Sequence, residues 1–225
     1  MSISPNAHAI YCDISNLSQV RKMVSDFLNV VGVPDILVNN AGFAVYRTFG
    51  ESISEEIASL LQVNLLGAMY CTREFLPSMI KRRQGHIVNV SSVAGKLIIT
   101  PNATYCAAKH GMIAWSEALR IELSRFGINI HVICPGRVET NFFNHETFKN
   151  RAPRKETEYT VPVTRVSSDV ISAIEKNKFV TYSPRFFGIL SWLVSVFPWP
   201  VKYVMDYLMR SRINTLYADN SDSLL

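Results

Sequence analysis

Tyr105 and Lys109 stand four residues apart in a stretch with helical patterning that runs to Phe126. On a helix that spacing stacks the two side chains on one face. A phenol, with a reference pKa of about 10, is a weak acid near neutral pH. An ammonium beside it favours the phenolate and brings the group toward useful acid–base work. Ser92 lies upstream, just past the apolar run 86–90, which reads as a strand buried on both faces. Open parallel sheets place ligands at the carboxyl ends of their strands. A hydroxyl at Ser92 can therefore steady a carbonyl oxygen while Tyr105 exchanges a proton with it. Taken alone, the pair fits a surface tyrosine and lysine on an amphipathic helix equally well.

Four further segments tip the balance. Asn39, Asn40, Ala41 and Gly42 follow the apolar run 36–38, and Asn64 interrupts the apolar face of a long helical pattern over 54–83. Asp13 ends the strand-like run 9–12, and Pro135–Gly136 ends the apolar run 130–134. In this order and spacing, NNAG, a mid-helix Asn, Ser, YxxxK and PG resemble the short-chain dehydrogenase/reductase family over about residues 7–140.

The resemblance implies an α/β fold with a doubly wound, mostly parallel, Rossmann-like sheet, and NAD or NADP as cofactor. It implies that Tyr105 donates and accepts the proton, and that Lys109 lowers the Tyr105 pKa and holds the nicotinamide ribose. Ser92 would bond the substrate oxygen, and Asn64 would hold a relay water. Asp13, Asn39, Ala41 and Gly42 would lie toward the adenine side, with Tyr105 and Lys109 at the ribose. Pro135, Gly136, Val138 and Thr140 would meet the nicotinamide. No metal is called for, because the hydroxyls supply the electrophilic help. Asp13 as a helix cap and Gly42 as a plain turn residue are the simpler readings of those two positions. Sugar-nucleotide epimerases share YxxxK, but NNAG and the PG loop argue against them. A catalytically inactive remnant that only dimerises or sits on a membrane is the rival reading.

The elements that must position these residues follow in order. Periodicity predicts a helix over 17–30, and a capping box at Ser52 and Glu55 opens the long helix that Gly85 stops. A second helix begins near Thr104 and ends at Gly127, before a strand over 129–134. A short helix over 167–176 and a last strand over 179–182 complete the core. Gly67, Met69, Tyr70, Met112 and Trp115 have interfacial composition, and the family pairs these helices in a homo-oligomer. Lys149, Arg151, Arg154 and Lys155 fall in the family's variable lid.

A dinucleotide-binding domain opens with a strand, a glycine-rich turn and a helix that hold the pyrophosphate. Here the first glycine is Gly32, and the run 9–13 corresponds to the family's third strand. One βαβ unit takes about 30 residues, so on the order of 50 residues of the pattern are missing. The expectation is a core over 1–183 that is truncated at its N-terminus, with an extension over 184–225.

Composition bounds the rest. The chain is 18% charged and 48% hydrophobic, as buried parallel strands require. Its net charge of +5 is scattered, so nucleic acid is not implied. Four cysteines without a CxxC pair read as reduced, buried thiols of an intracellular, cytoplasmic protein. In the extension, residues 186–197 are nearly unbroken apolar, too short a run to span a bilayer. Pro198, Trp199 and Pro200 follow, then an amphipathic stretch over 201–212 that sets Lys202, Arg210 and Arg212 against Val204, Tyr207 and Leu208. Two readings stand: an interfacial helix pair at a membrane surface, or an apolar cap over the pocket. The cap would favour a lipid-like carbonyl or alcohol substrate. Residues 219–225 read as a disordered end.

Overall fold

A computed structural model of the chain describes residues 7–144, 146–148 and 160–217. The basic cluster at 149–155 and the tail at 219–225 lie outside the described residues. Four strands, β1 (Ile36–Asn39), β2 (Gly85–Val90), β3 (Ile128–Pro135) and β4 (Val180–Ser183), form one sheet in that order. Every pairing is parallel. Neighbouring residues on a strand point to opposite faces, and Ile87 and Val88 are both fully buried. The middle of the sheet is therefore covered on both sides, while on β1 Ile36 and Val38 stay 44% and 45% exposed. Helices α1 (Leu17–Val30), α3 (Ala68–Arg82) and α4 (Ala103–Leu123) cover one side, packing Val24, Phe75, Met79 and Leu119 onto Ile87 and Ile130. Helix α5 (Val163–Glu175) covers the other, with Ala173 on Val88 and Ile133. Helices on both faces of a parallel sheet are the α/β architecture that the sequence predicts.

Residues 9–13 do not form the expected strand. A strand needs a neighbour for its N–H and C=O groups, and among the described residues none pairs with this run; β1 is bonded only to β2 and its outer edge stays open. Tyr11 is 91% exposed. Asp13 instead closes a turn, accepting from the Ser15 N–H at 2.9 Å and the Ser15 hydroxyl at 2.7 Å. Those two bonds hold its carboxyl below the ordinary range. Asn16, not Asp13, caps α1 by accepting from the Ser18 and Gln19 N–H groups.

The long helix forms with two departures. Ser52 and Glu55 make no capping box; Glu51 accepts from the backbone and hydroxyl of Thr48 one turn earlier, and α2 (Ser54–Leu61) starts without a side-chain cap. Between α2 and α3 runs a π-helical stretch, Gln62–Gly67, which contains Asn64. The chain then leaves α3 at Arg83, in the left-handed region at φ 57°, and Gly85 opens β2 rather than stopping the helix. Gly67 and Met112 serve the chain's own packing. A Cβ on Gly67 would lie 2.7 Å from the Ile14 side chain, and Met112 is 1% exposed.

A buried polar line ties β1 and β2 to the helices above them. Asn39 Nδ2 donates to Thr72 Oγ1 and to Asn89 Oδ1, and Asn89 Nδ2 donates to Ser116 Oγ at 2.8 Å. Ser116 in turn donates to the Met112 carbonyl on α4. Asn89→Leu removes the acceptor that Asn39 uses and leaves a buried N–H unpaired. It should cost about 1–3 kcal/mol, read as a lower urea midpoint at unchanged m-value.

The C-terminal helices dock on this core. Helix α6 (Phe186–Val196) lies against β4, where Tyr182 donates to Ser191 at 2.9 Å. Helix α7 (Pro198–Tyr217) starts with its prolines in the first turn, where their missing N–H groups cost nothing. It turns away from α6 by 119°. No single helix among the described residues is long and apolar enough to cross a membrane.

Candidate active site

The site gathers where β1, β2 and β3 end and α4 begins. Ser92 follows β2 and starts a short turn, its hydroxyl accepting from the Ala94 N–H at 3.1 Å. That turn packs tightly on α4: a Cβ on Gly95 would lie 2.8 Å from the Lys109 carbonyl. Ser91 donates to the same carbonyl at 3.0 Å. Helix α4 and the Ser92 turn are thus locked together, which sets the Tyr105 hydroxyl beside the Ser92 side chain, whose own hydroxyl donates to the Pro135 carbonyl at 3.4 Å. Lys109 is 3% exposed, donates from Nζ to the Val90 carbonyl at 3.0 Å, and stands 5.6 Å from the Tyr105 ring centre. Asn64 is fully buried. Its Nδ2 donates to the Phe43 and Leu60 carbonyls, while its Oδ1 has no protein partner. Gly42 closes the gap: a Cβ there would sit 2.5 Å from Asn64 Oδ1 and 3.5 Å from Lys109 Nζ.

The electrostatics correct one expectation. The net shift of Tyr105 runs upward, not downward: burial dominates and pushes it up to about 12, with the Ser92 hydrogen bond opposing. Burial also pulls Lys109 down to about 8, because the ammonium is the form that loses hydration. At neutral pH the arrangement is a protonated phenol beside an ammonium. The resting state thus carries the proton that a reduction needs, on a hydroxyl that is a weaker acid than free tyrosine.

Ser92, Tyr105 and Lys109 face a cleft of about 1140 Å³. Gly42 lines it on one side, and Pro135, Gly136, Val138 and Thr140 line it on the other. The loop after β3 is held in place by bonds from Glu139 N to the Val161 carbonyl and from Val161 N to the Arg137 carbonyl. Asn39 sits beneath, in the polar line described above. Asp13 and Ala41 are exposed and lie off the cleft. The sequence reading did not single out the aromatic wall. Tyr105, Phe142, Phe143, Phe148 and Tyr46 form an unbroken series of ring contacts with centres 5.2 to 6.0 Å apart. The Arg137 guanidinium lies 4.0 Å over the Phe143 ring. Three phenylalanines within seven residues was the available signal.

A family profile of short chain dehydrogenases matches residues 2–151. The chain belongs to the short-chain dehydrogenase/reductase family. Among curated members of that family, it is 46% identical to the ketoacyl reductase HetN of Nostoc sp., over 59% of this chain and 46% of that protein. It is 30% identical to mouse epidermal retinol dehydrogenase 2, over 85% of this chain and 62% of that one. The chain spans about half the length of the first curated relatives it matches. A Burkholderia phymatum family member solved in complex with NAD superposes with a TM-score of 0.72 at 26% identity, covering 82% of this chain and 73% of that one. A gluconate 5-dehydrogenase from Burkholderia cenocepacia, solved with NADP and tartrate, gives 0.66 at 25% identity, covering 76% and 71%. These neighbours of the family bind NAD or NADP.

The residues present fit the nicotinamide–ribose end of such a cofactor. Gly42 leaves open the space beside Lys109, Gly136 lines the far wall, and Asn64, buried against Gly42, keeps an unpartnered oxygen. The pyrophosphate end is a different matter. Among the described residues no glycine-rich turn stands beside β1, and Gly32 lies in the α1–β1 connection.

Proposed function

We propose that this chain carries the catalytic residues of an NAD(P)-dependent oxidoreductase that interconverts a carbonyl and an alcohol on an apolar substrate. The observation that carries the reading is the Tyr105–Ser92 hydroxyl pair, with Lys109 beside it, in an aromatic cleft. When bound, the nicotinamide supplies or accepts the hydride. Ser92 holds the substrate oxygen, and Tyr105 gives its proton to that oxygen as charge develops there. Lys109 stabilises the phenolate left behind, and Asn64 Oδ1 takes a water that carries the replacement proton. Lys109, Gly42 and the loop from Pro135 to Thr140 hold the nicotinamide and its ribose. Phe142, Phe143, Phe148, Tyr46 and Leu97 exclude water and select an apolar body. The printed names of two relatives, a ketoacyl reductase and a retinol dehydrogenase, point to the same substrate class. Pairing of two copies would use the open face of α4, where Ala107, Ala114, Ala118 and Ile121 are exposed.

Titration of the full chain with NADH and NADPH, followed by nicotinamide fluorescence, tests the reading. Saturable binding is expected, weakened about tenfold or more by Gly42→Ala, since a methyl at 2.5 Å from Asn64 must displace it. No binding at millimolar cofactor would favour the non-catalytic reading.

A further inference from the structure

The α6–α7 pair turns one face to the cleft and leaves another bare. On α6, Phe187 and Leu190 line the cleft, while Phe186, Ile189, Trp192 and Val196 form a stripe on the far side, 47% to 65% exposed. On α7, Met205 and Met209 line the cleft. Tyr203 and Tyr207 are 77% and 72% exposed, with Val204 and Leu208 beside them. Lys202, Asp206 and Arg210 make a third, exposed stripe on α7. Trp199, 86% exposed, stands near the bend. Scattered exposed hydrophobics are ordinary, but a contiguous patch marks an interaction surface.

We infer that this outer face lies in the interface of an anionic phospholipid bilayer, and that the cleft draws its substrate from the lipid past α6 and α7. The second half of this inference rests on the proposed function; the first does not.

Three features select lipid as the occupant. Four of the bare side chains are Trp or Tyr, whose rings combine an apolar body with a polar tip and concentrate at the lipid–water boundary. Taken together α6 and α7 have the length and apolar composition of a span, but α6 is only about 16 Å long and α7 leaves it at 119°, a bend that suits lying along a surface better than crossing it. Over residues 185–211, Arg185, Lys202 and Arg210 face a single acid, Asp206, and all four are exposed. Cations flanking an apolar face complement anionic headgroups. Continuity supplies the route. The helices that carry the bare face also carry Phe187, Leu190, Met205 and Met209 into the cleft. A molecule dissolved in lipid would then reach Tyr105 without crossing bulk water.

The test is flotation of the full chain with vesicles of phosphatidylcholine and phosphatidylserine, against pure phosphatidylcholine. Flotation with the mixed vesicles is expected, falling about tenfold in Trp199→Glu/Tyr203→Glu and in high salt. Brominated acyl chains should quench tryptophan emission in the wild type. A photoreactive long-chain alcohol dissolved in the same vesicles should label Phe187, Met205 or Met209. Neither arm needs cofactor or turnover, so a chain without activity fails the oxidoreductase reading and leaves this one standing. Absence of flotation would overturn the membrane contact. So would a concentration-dependent dimer that the double variant dissolves, which would make the face a contact between copies. Labelling confined to the outer stripe would overturn the delivery route.

Discussion

Tyr105→Phe is expected to lower kcat for reduction of an apolar aldehyde by about 10²–10⁴-fold, with NADH or NADPH affinity unchanged within about twofold. The substitution removes one oxygen and keeps the ring, which packs edge-on against Phe142 at 6.0 Å. Steric and packing consequences are small, so the loss reports the proton. Direction matters as well. With its pKa raised to about 12, the phenol is protonated throughout the neutral range. Reduction therefore starts from the resting state and should be level with pH. Oxidation needs the phenolate, so its kcat/KM should climb with pH through the neutral range until cofactor binding or another group takes over. Stopped-flow traces in both directions would show the contrast. A variant that keeps activity within about tenfold of wild type would remove Tyr105 from the proton step.

Lys109→Met has the second large effect, and it splits into two readouts. Loss of a buried cation that stabilises developing charge should cost about 10²–10³ in kcat. The stability effect has its own sign. Burial lowers the Lys109 pKa from 10.5 to about 8. Between those values the unfolded chain holds a proton that the folded chain has released, so this group makes the fold more stable as pH rises through that window. Below pH 8 the folded state bears the whole cost of a desolvated ammonium, on the order of 3 kcal/mol. Tyr105 and Cys134 act the other way at higher pH, because burial pushes both up to about 12. Subtracting the Lys109→Met urea midpoints from those of wild type isolates the lysine. The difference should move in favour of wild type from pH 8 to 10, and a flat difference would mean that Lys109 is not desolvated.

What could be read from the sequence was what is local. Helix α1 falls on residues 17–30 because its apolar period and its flanking turn residues are all contained within it. The NNAG turn, Ser92 and the Tyr105–Lys109 pair were legible for the same reason: each is a short spacing on one element. The errors came from distant partners. Residues 9–13 have a strand's pattern, yet pairing is decided by a neighbour that those five residues cannot specify. The upward direction of the Tyr105 shift could not be read locally, because its largest cause is burial, and part of what packs on that ring, Phe142, lies far along the chain. The aromatic wall draws on Tyr46 and Phe148, about a hundred positions apart, and no periodicity joins them.

The π-helical stretch carries a consequence for which changes the chain can absorb. Helix α2 places Leu60 against Val45 and Ala108, while α3, on the same continuous rod, places Phe75 and Met79 against the sheet. The wider turn at Gln62–Gly67 takes up one residue more than an α-turn would for about the same rotation, so each helix keeps the facing that its own neighbours require. Removing one residue there would restore an even pitch and leave α2 and α3 facing as they do. Leu60, Phe75 and Met79 would keep their neighbours, and the change would fall on Asn64, which the widened turn sets against Gly42. The stretch thus tunes the site without touching the packing of the helices on either side of it.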